Sequence, residues 1–432
     1  MPIERRGDDV CVHPAPPLDA CVTLPGSKSL TNRYLLCCAL ADGESRLRGA
    51  SLSDDVQAMM SGLRAFGIAV DVQADAAAMT IRGCRGHLPA TSAEIDAGDA
   101  GTVMRFLTAL AAVGHGRYAL DGSARMRDRP IGALVDALAA LGAGIGYEGR
   151  TGYPPLTVVA RGLPGGMARF ARPVSSQFVS AVLMVAPYAM RDVLLRVDGG
   201  LVSAPYVDMT LRVMRSLGVD ALDDGRARFI VPSAQRYGAR QVEIEPDASA
   251  ATYFWAAAAI TGGRVLARGL TRDSAQGDVE FVDVLEQMGC RIEARADALG
   301  VCGPPDGRLR GVNVDLNSMP DAAQTLAVAA LFADGPTEIR NVANLRVKET
   351  DRLAALRCEL TKLGAEVNLT PDGLRILPPP RVSPAEIDTY NDHRMAMSFA
   401  LAGLRVPGIV IRGAGCVRKS FPEFFETLVA LS

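Results

Sequence analysis

The sequence predicts an α/β protein made of six copies of one unit, grouped as two lobes of three units. Three observations predict it. Ala-rich apolar helical stretches alternate with short β-rich runs along the whole chain. Five helical stretches end on a Gly preceded by a bulky apolar residue. Those five glycines are 75, 76, 71 and 75 residues apart, a spacing expected of duplicated supersecondary units.

Each unit reads as an Ala-rich helix, a glycine-marked turn and a strand, then a second, amphipathic helix and another strand. The second helices stop at Phe66-Gly67, Leu141-Gly142, Leu217-Gly218, Met288-Gly289 and Leu363-Gly364. Gly suits that place because it enters the left-handed region at little cost. Strand-like runs such as Ile68–Val72 and Arg291–Ala294 follow the stops. A sixth helix, Phe421–Leu431, closes the chain. The period is too long for a small-repeat solenoid. Two three-unit lobes are the simpler grouping, with functional groups expected in the cleft between them.

The 432 residues exceed one ordinary core. A formal net charge of -2 supplies no field for nucleic acid or an anionic membrane, so any anion must be met by a local cluster. No apolar run reaches the roughly 18 residues that cross a bilayer, and MPIERRGDDV has neither a signal core nor transit-peptide character. Nine Cys, an odd number without CxxC, read as reduced thiols of a cytoplasmic protein. The 4 His are scattered, without HExxH, which argues against zinc. The basic residues are almost all Arg. Only Lys28, Lys348, Lys362 and Lys419 are Lys, the cation that can release its proton near neutral pH. Lys362 reads as helix surface; the other three lie in polar, loop-like motifs.

Eight motifs precede helices. Leu24–Arg33 places Gly26, Ser27, Lys28, Ser29 and Arg33 at a helix start, either a phosphate or carboxylate cradle or a plain cap. It lacks the GxxxxGK[ST] of a Walker loop. Asp96–Arg105 offers Gly98 and Gly101 for close backbone approach and Thr102 for a hydroxyl. Met126–Ile131 sets two Arg beside Pro130, a potential bidentate clamp. Ser175, Ser176 and Gln177 open another helix and suit a cap or hydroxyls and phosphate alike. Asp321 starts a further helix. Lys348, Glu349 and Arg352 put an acid, a base and a fixed cation within one turn. Tyr390–Met397 and Arg418–Pro422 complete the set. Surface charge would explain any one of them. Converging at equivalent ends of related units, they make a site for polyanionic small molecules with acid/base groups in place.

LPGSKSLTNR, GDAGTVMR, RDRPI, SSQF, LVSAPY, EPDASAATYF, PDAAQT, RVKETDR, YNDHRMAM and KSFP together resemble the 5-enolpyruvylshikimate-3-phosphate synthase family, in order and spacing, over roughly residues 20 to 425. The resemblance implies two lobes of three βαβαββ units. The first spans 27–245 and the second 1–26 with 246–432, with hinges near 25–27 and 244–247, and the lobes close on substrate. It implies shikimate 3-phosphate held by Ser29, Arg33, Ser175, Ser176, Ser203, Tyr206, Asp321, Asn344 and Lys348. It implies phosphoenolpyruvate held by Lys28, Gly101, Arg129, Gln177, Arg352, Arg394 and Lys419. Lys28, Asp321 and Glu349 would carry protons in an addition followed by an elimination, with no metal or organic cofactor, in a monomer.

Two positions depart from the family pattern. Asp99 stands where Asn is usual, and a carboxylate there should weaken anion binding unless it is protonated or turned away. Phe106 stands where many members have Pro. It should shift the helix behind Gly101 and reduce sensitivity to glyphosate, the family's inhibitor. The related UDP-N-acetylglucosamine enolpyruvyl transferases carry a Cys in a mobile loop, and Asp121–Ile131 has none. A specialised enzyme acting on another cyclic alcohol is the alternative that Asp99 keeps open. A non-catalytic descendant would have lost acid/base residues that are all present here.

Overall fold

The computed structural model describes residues 3–73 and 77–431. The chain divides into two compact units, Gly26–Ile244 and Met1–Pro25 with Glu245–Ser432. The first holds helices α1 (Lys28–Leu40), α2 (Asp54–Ala65), α3 (Gly101–Val113), α4 (Gly132–Ala140), α5 (Ser176–Val185) and α6 (Pro205–Ser216). The second, split unit holds α7 (Ala248–Thr261), α8 (Phe281–Gln287), α9 (Ala323–Ala329), α10 (Arg352–Lys362), α11 (His393–Gly403) and α12 (Phe424–Ala430).

Among the described residues, six four-stranded sheets, three per unit, bear out the six-repeat expectation. In the second repeat, strand Ser92–Asp96 leads through α3 to the parallel strand His115–Asp121. From there α4 leads to the antiparallel hairpin Gly144–Tyr147 and Leu156–Arg161. This βαβαββ order recurs, with three repeats completed by distant parts of the chain, the fourth by Asp19–Val22 pairing with Arg264–Arg268. Gln241–Glu243 supplies the first strand of the first repeat, pairing with Glu44–Arg48. The hairpin Ile3–Arg6 and Asp9–Val12 completes the last repeat by pairing with Ile409–Arg412.

The glycine stops have a common geometry. Gly67, Gly142, Gly218, Gly289 and Gly364 have φ of 83, 94, 88, 103 and 97°. After each one, the next amide donates back to the carbonyl five residues earlier, as Ile68 does to Leu63 at 3.1 Å and Cys290 to Leu285 at 3.0 Å. This is a Schellman cap, which a Cβ in the left-handed region would strain. The apolar residue before each Gly is fully buried, so the stop also anchors its helix to the core. The sixth helix starts at Phe424 rather than Phe421, because Ala414–Lys419 forms a 3-10 turn and Pro422 follows.

The helices α1, α3 and α5 pack on one another inside the first unit, and α7, α9 and α11 do so inside the split unit. Helix α7 buries every residue but Ser249. Its apolar, Ala-rich surface all round suits a helix with neighbours on all sides. Buried hydroxyls cross the split unit's trio, Thr252 to Thr325 at 3.3 Å and Thr325 to Ser398 at 3.4 Å. No described helix is long and apolar enough to cross a membrane.

Candidate active site

The first unit presents the starts of its inner helices. Ser27 caps α1, its hydroxyl accepting from the Leu30 amide at 3.4 Å. Lys28 opens that helix, and its Nζ sits 2.8 Å from Oδ2 of the buried Asp55. Ser175 caps α5 in the same manner, accepting from the Gln177 amide at 3.2 Å. The Gln177 side chain donates to Thr102 Oγ1 at 3.0 Å, joining the first turns of α5 and α3. Ser203 holds φ of 55°, unusual for a residue with a Cβ and frequent where a site over-determines its backbone.

Gly101 is a close-approach glycine. A Cβ there would lie 2.3 Å from Arg105 Nη1 and 2.5 Å from Arg129 Nη2. Arg129 donates to the Asp99 carbonyl at 3.0 Å, and the Asp99 carboxylate accepts from the Ser123 hydroxyl. The RDRPI pair does not act as one clamp. Arg127 is exposed and turns to Asp121 at 2.9 Å, while Arg129 is buried beside Gly101. Arg33 is buried as well and points into the protein. Its nitrogens donate to Thr210 Oγ1 at 2.8 Å, the Ser29 carbonyl at 2.9 Å and the Tyr206 carbonyl at 3.1 Å.

The split unit gathers Asp321, Lys348, Glu349, Arg352, Arg394 and Lys419 from four stretches of chain. Arg352 opens α10 and is 1% exposed. It grips Asp392 with two nitrogens at 2.7 and 3.2 Å, Asp321 at 3.1 Å and Glu349 at 3.0 Å. Arg394, in the first turn of α11, donates to Asp321 at 2.8 Å and to the Tyr253 hydroxyl at 3.2 Å. Lys348 Nζ lies 3.8 Å from Asp321, and Lys419 Nζ lies 3.9 Å from Glu349. Burial alone would raise Asp321. The cations Arg394, Lys348 and Arg352 outweigh it and hold this carboxyl well below the usual range. Arg352 is held charged for the converse reason: burial opposes its charge, and Asp392, Glu349 and Asp321 overcome that. Asn344 is half-buried in the 3-10 turn Ala343–Val347 that leads to Lys348.

Several members were not singled out in the sequence. Asp392 lies within the YNDHR motif, where it caps α11 and clamps Arg352; an Asp at a helix start was the available signal. Asp55, Tyr253 and Arg105 carried no pattern that separates them from core or cap. Asp278 is 3% exposed. Its burial, with Asp321 and Asp247 nearby, pushes its carboxyl up to about 7, against Arg394 and a hydrogen bond from Ser249. Lys362, read as mere surface, joins α10 to strand Glu386–Asp388 through Glu359 at 2.7 Å and Asp388 at 2.8 Å.

Each unit thus holds its own cluster of buried or half-buried Arg and Lys beside carboxylates and hydroxyls, which suits small anions and proton transfer. Residues 12–428 match the sequence model of the family described as EPSP synthase (3-phosphoshikimate 1-carboxyvinyltransferase). The chain is 47% identical over 409 residues to a 3-phosphoshikimate 1-carboxyvinyltransferase of Nostoc punctiforme, covering 95% of each chain. It is 47% identical over 421 residues to that of Laribacter hongkongensis, covering 97% of this chain and 98% of the relative. The solved EPSP synthase of Acinetobacter baumannii superposes with a TM-score of 0.80 at 26% identity, covering 98% of both chains. The enolpyruvyl transferase NikO of Streptomyces tendae shares the fold, with a TM-score of 0.76 at 21% identity. This chain therefore belongs to the EPSP synthase (3-phosphoshikimate 1-carboxyvinyltransferase) family.

Proposed function

We infer that the protein transfers the enolpyruvyl group of phosphoenolpyruvate to the 5-hydroxyl of shikimate 3-phosphate and releases phosphate. Beyond family membership, one observation carries this reading: Asp321 is held among Arg352, Arg394 and Lys348 in the split unit. That arrangement places a potential base among cations able to receive two anionic substrates.

The acceptor is assigned to Ser29, Arg33, Ser175, Ser176, Ser203 and Tyr206 of the first unit and to Asp321, Asn344 and Lys348 of the split unit. Arg33 acts there through the backbone of Ser29 and Tyr206, to which two of its nitrogens donate. Phosphoenolpyruvate is assigned to Lys28, Gly101, Arg129 and Gln177, with Arg352, Arg394 and Lys419. No metal or organic cofactor enters, and the protein works as a cytoplasmic monomer.

In the addition step the acceptor oxygen forms a bond to the middle carbon of phosphoenolpyruvate. The hydroxyl proton passes to Asp321, and the methylene carbon takes a proton from Lys28 or Glu349. In the elimination step the carbon–oxygen bond to phosphate breaks, a methyl proton returns to a base, and the enol ether forms. A carboxylate surrounded by three cations is a weak base. The phosphate and carboxylate of phosphoenolpyruvate would draw Arg352 and Arg394 toward themselves and so raise Asp321 for its task. Asp99, which the sequence left as a concern for anion binding, has the Ser123 hydroxyl on its carboxylate.

The test is phosphate release by purified protein given phosphoenolpyruvate, with and without shikimate 3-phosphate, together with identification of the product. Release that requires both substrates and yields the enolpyruvyl ether is expected. A folded protein that releases no phosphate with this pair would refute the assignment of the acceptor.

A further inference from the structure

Arg33 is an unusual buried cation. It is 2% exposed, and its hydrogen bonds go to a hydroxyl and two backbone carbonyls rather than to a carboxylate. Burial pulls its guanidinium down to about 10, against the opposing influence of Tyr206 and Cys37. What remains to offset the desolvated charge is aromatic. The guanidinium carbon lies 5.5 Å from the centre of the Phe106 ring and 6.0 Å from that of Tyr206, within reach of a cation–π attraction that is strongest when water is excluded. Phe106 is itself fully buried, in the middle of α3.

We propose that Phe106 is a positioning residue for the acceptor alcohol: its ring holds Arg33, and Arg33 holds the backbone of Ser29 on α1 and of Tyr206 at the start of α6. The proposal rests on the assignment of Ser29 and Tyr206 to the acceptor made above. It adds a second role to the one expected in the sequence, where Phe106 shifts the helix behind Gly101. The neighbouring residue lies against Gly101 itself. Arg105 donates to the Pro130 carbonyl at 3.1 Å and lies against Gly101. Consecutive residues of α3 thus serve the two substrates separately, Phe106 the acceptor through Arg33 and Arg105 the phosphoenolpyruvate side.

The experiment uses the full chain, with each substrate varied in turn. In Phe106→Leu the KM for shikimate 3-phosphate should rise about 3- to 30-fold, the worth of a desolvated cation–π contact, while the KM for phosphoenolpyruvate stays near the wild-type value. A cavity effect is separated by replacing Phe106 with 4-fluoro- and 3,4,5-trifluorophenylalanine. Fluorine withdraws charge from the ring face and leaves its shape nearly intact, so the acceptor KM should climb with each fluorine while thermal stability changes little. A flat response to fluorination, or equal rises for both substrates, would overturn the proposal. Wild-type protein with no turnover of shikimate 3-phosphate sinks the parent reading instead, and that control is run first.

Discussion

Replacing Asp278 with Asn should stabilise the protein at high pH. Asp278 is 3% exposed. Burial first, then the charge of Asp321, pushes its carboxyl up to about 7. In the unfolded chain it would ionise near the ordinary aspartate value of about 3.9. The native state therefore keeps a proton that the unfolded chain gives up. Its stability is fully present below about pH 4 and is lost as pH rises toward about 7. At about 1.4 kcal/mol per pH unit the full loss is about 4 kcal/mol, of which about 3 kcal/mol falls between pH 5 and pH 8. Asn has the shape of the neutral acid and cannot ionise, so the variant escapes this loss. The assay is the urea midpoint of wild type and Asp278→Asn at pH 5, 6, 7 and 8; other titrations cancel in the difference. The variant should gain about 3 kcal/mol on wild type between the two ends of that range. A difference that stays within about 1 kcal/mol, or moves the other way, would show that Asp278 is ionised in the native protein and refute the reasoning.

Four further outcomes are expected. Gly101→Ala should fold normally, since the new Cβ meets the far ends of two Arg side chains. By displacing Arg129 it should raise the KM for phosphoenolpyruvate at least about 10-fold, the scale of a misplaced anchoring group; an unchanged KM counts against Arg129 as that anchor. Arg352→Lys loses the two-pronged grip on the buried Asp392 and should cost about 3–5 kcal/mol in unfolding measurements, with a cost under 1 kcal/mol arguing against a tight cluster. Asp321→Asn should lower kcat by about 10²–10⁴-fold while phosphoenolpyruvate still binds; activity within threefold of wild type would remove Asp321 as the base. Glyphosate should inhibit this protein less than a family member with Pro at the position of Phe106, and equal inhibition constants would dismiss that effect.

The features legible in the sequence were those set by local physics. A left-handed stop needs Gly wherever the fold places it, so five glycines marked the ends of α2, α4, α6, α8 and α10, and through them the repeat. Helix starts carry free N–H donors and need accepting caps nearby, so the motifs carrying Lys28, Gly101, Ser175, Asp321, Arg352 and Arg394 are legible from the residues alone. The resemblance then supplied chemistry that no single motif held. The remainder was decided by contacts between residues far apart in the chain. The pairing of Gln241–Glu243 with Glu44–Arg48, of Asp19–Val22 with Arg264–Arg268, and of the first hairpin with Ile409–Arg412 completes three repeats with strands from distant stretches of chain. Periodicity carries no information about such closures. Side-chain direction was equally hidden. Arg33 and Arg127 had the composition of ligands, yet one turns inward to two backbone carbonyls and the other outward to Asp121. Asp278 and Asp392 look alike as letters. Packing buries both, giving one a cation to hold and leaving the other beside two like charges. Residue type and local spacing are written in the sequence, whereas burial and the partner met across 40 or 400 residues exist only once the chain has closed on itself.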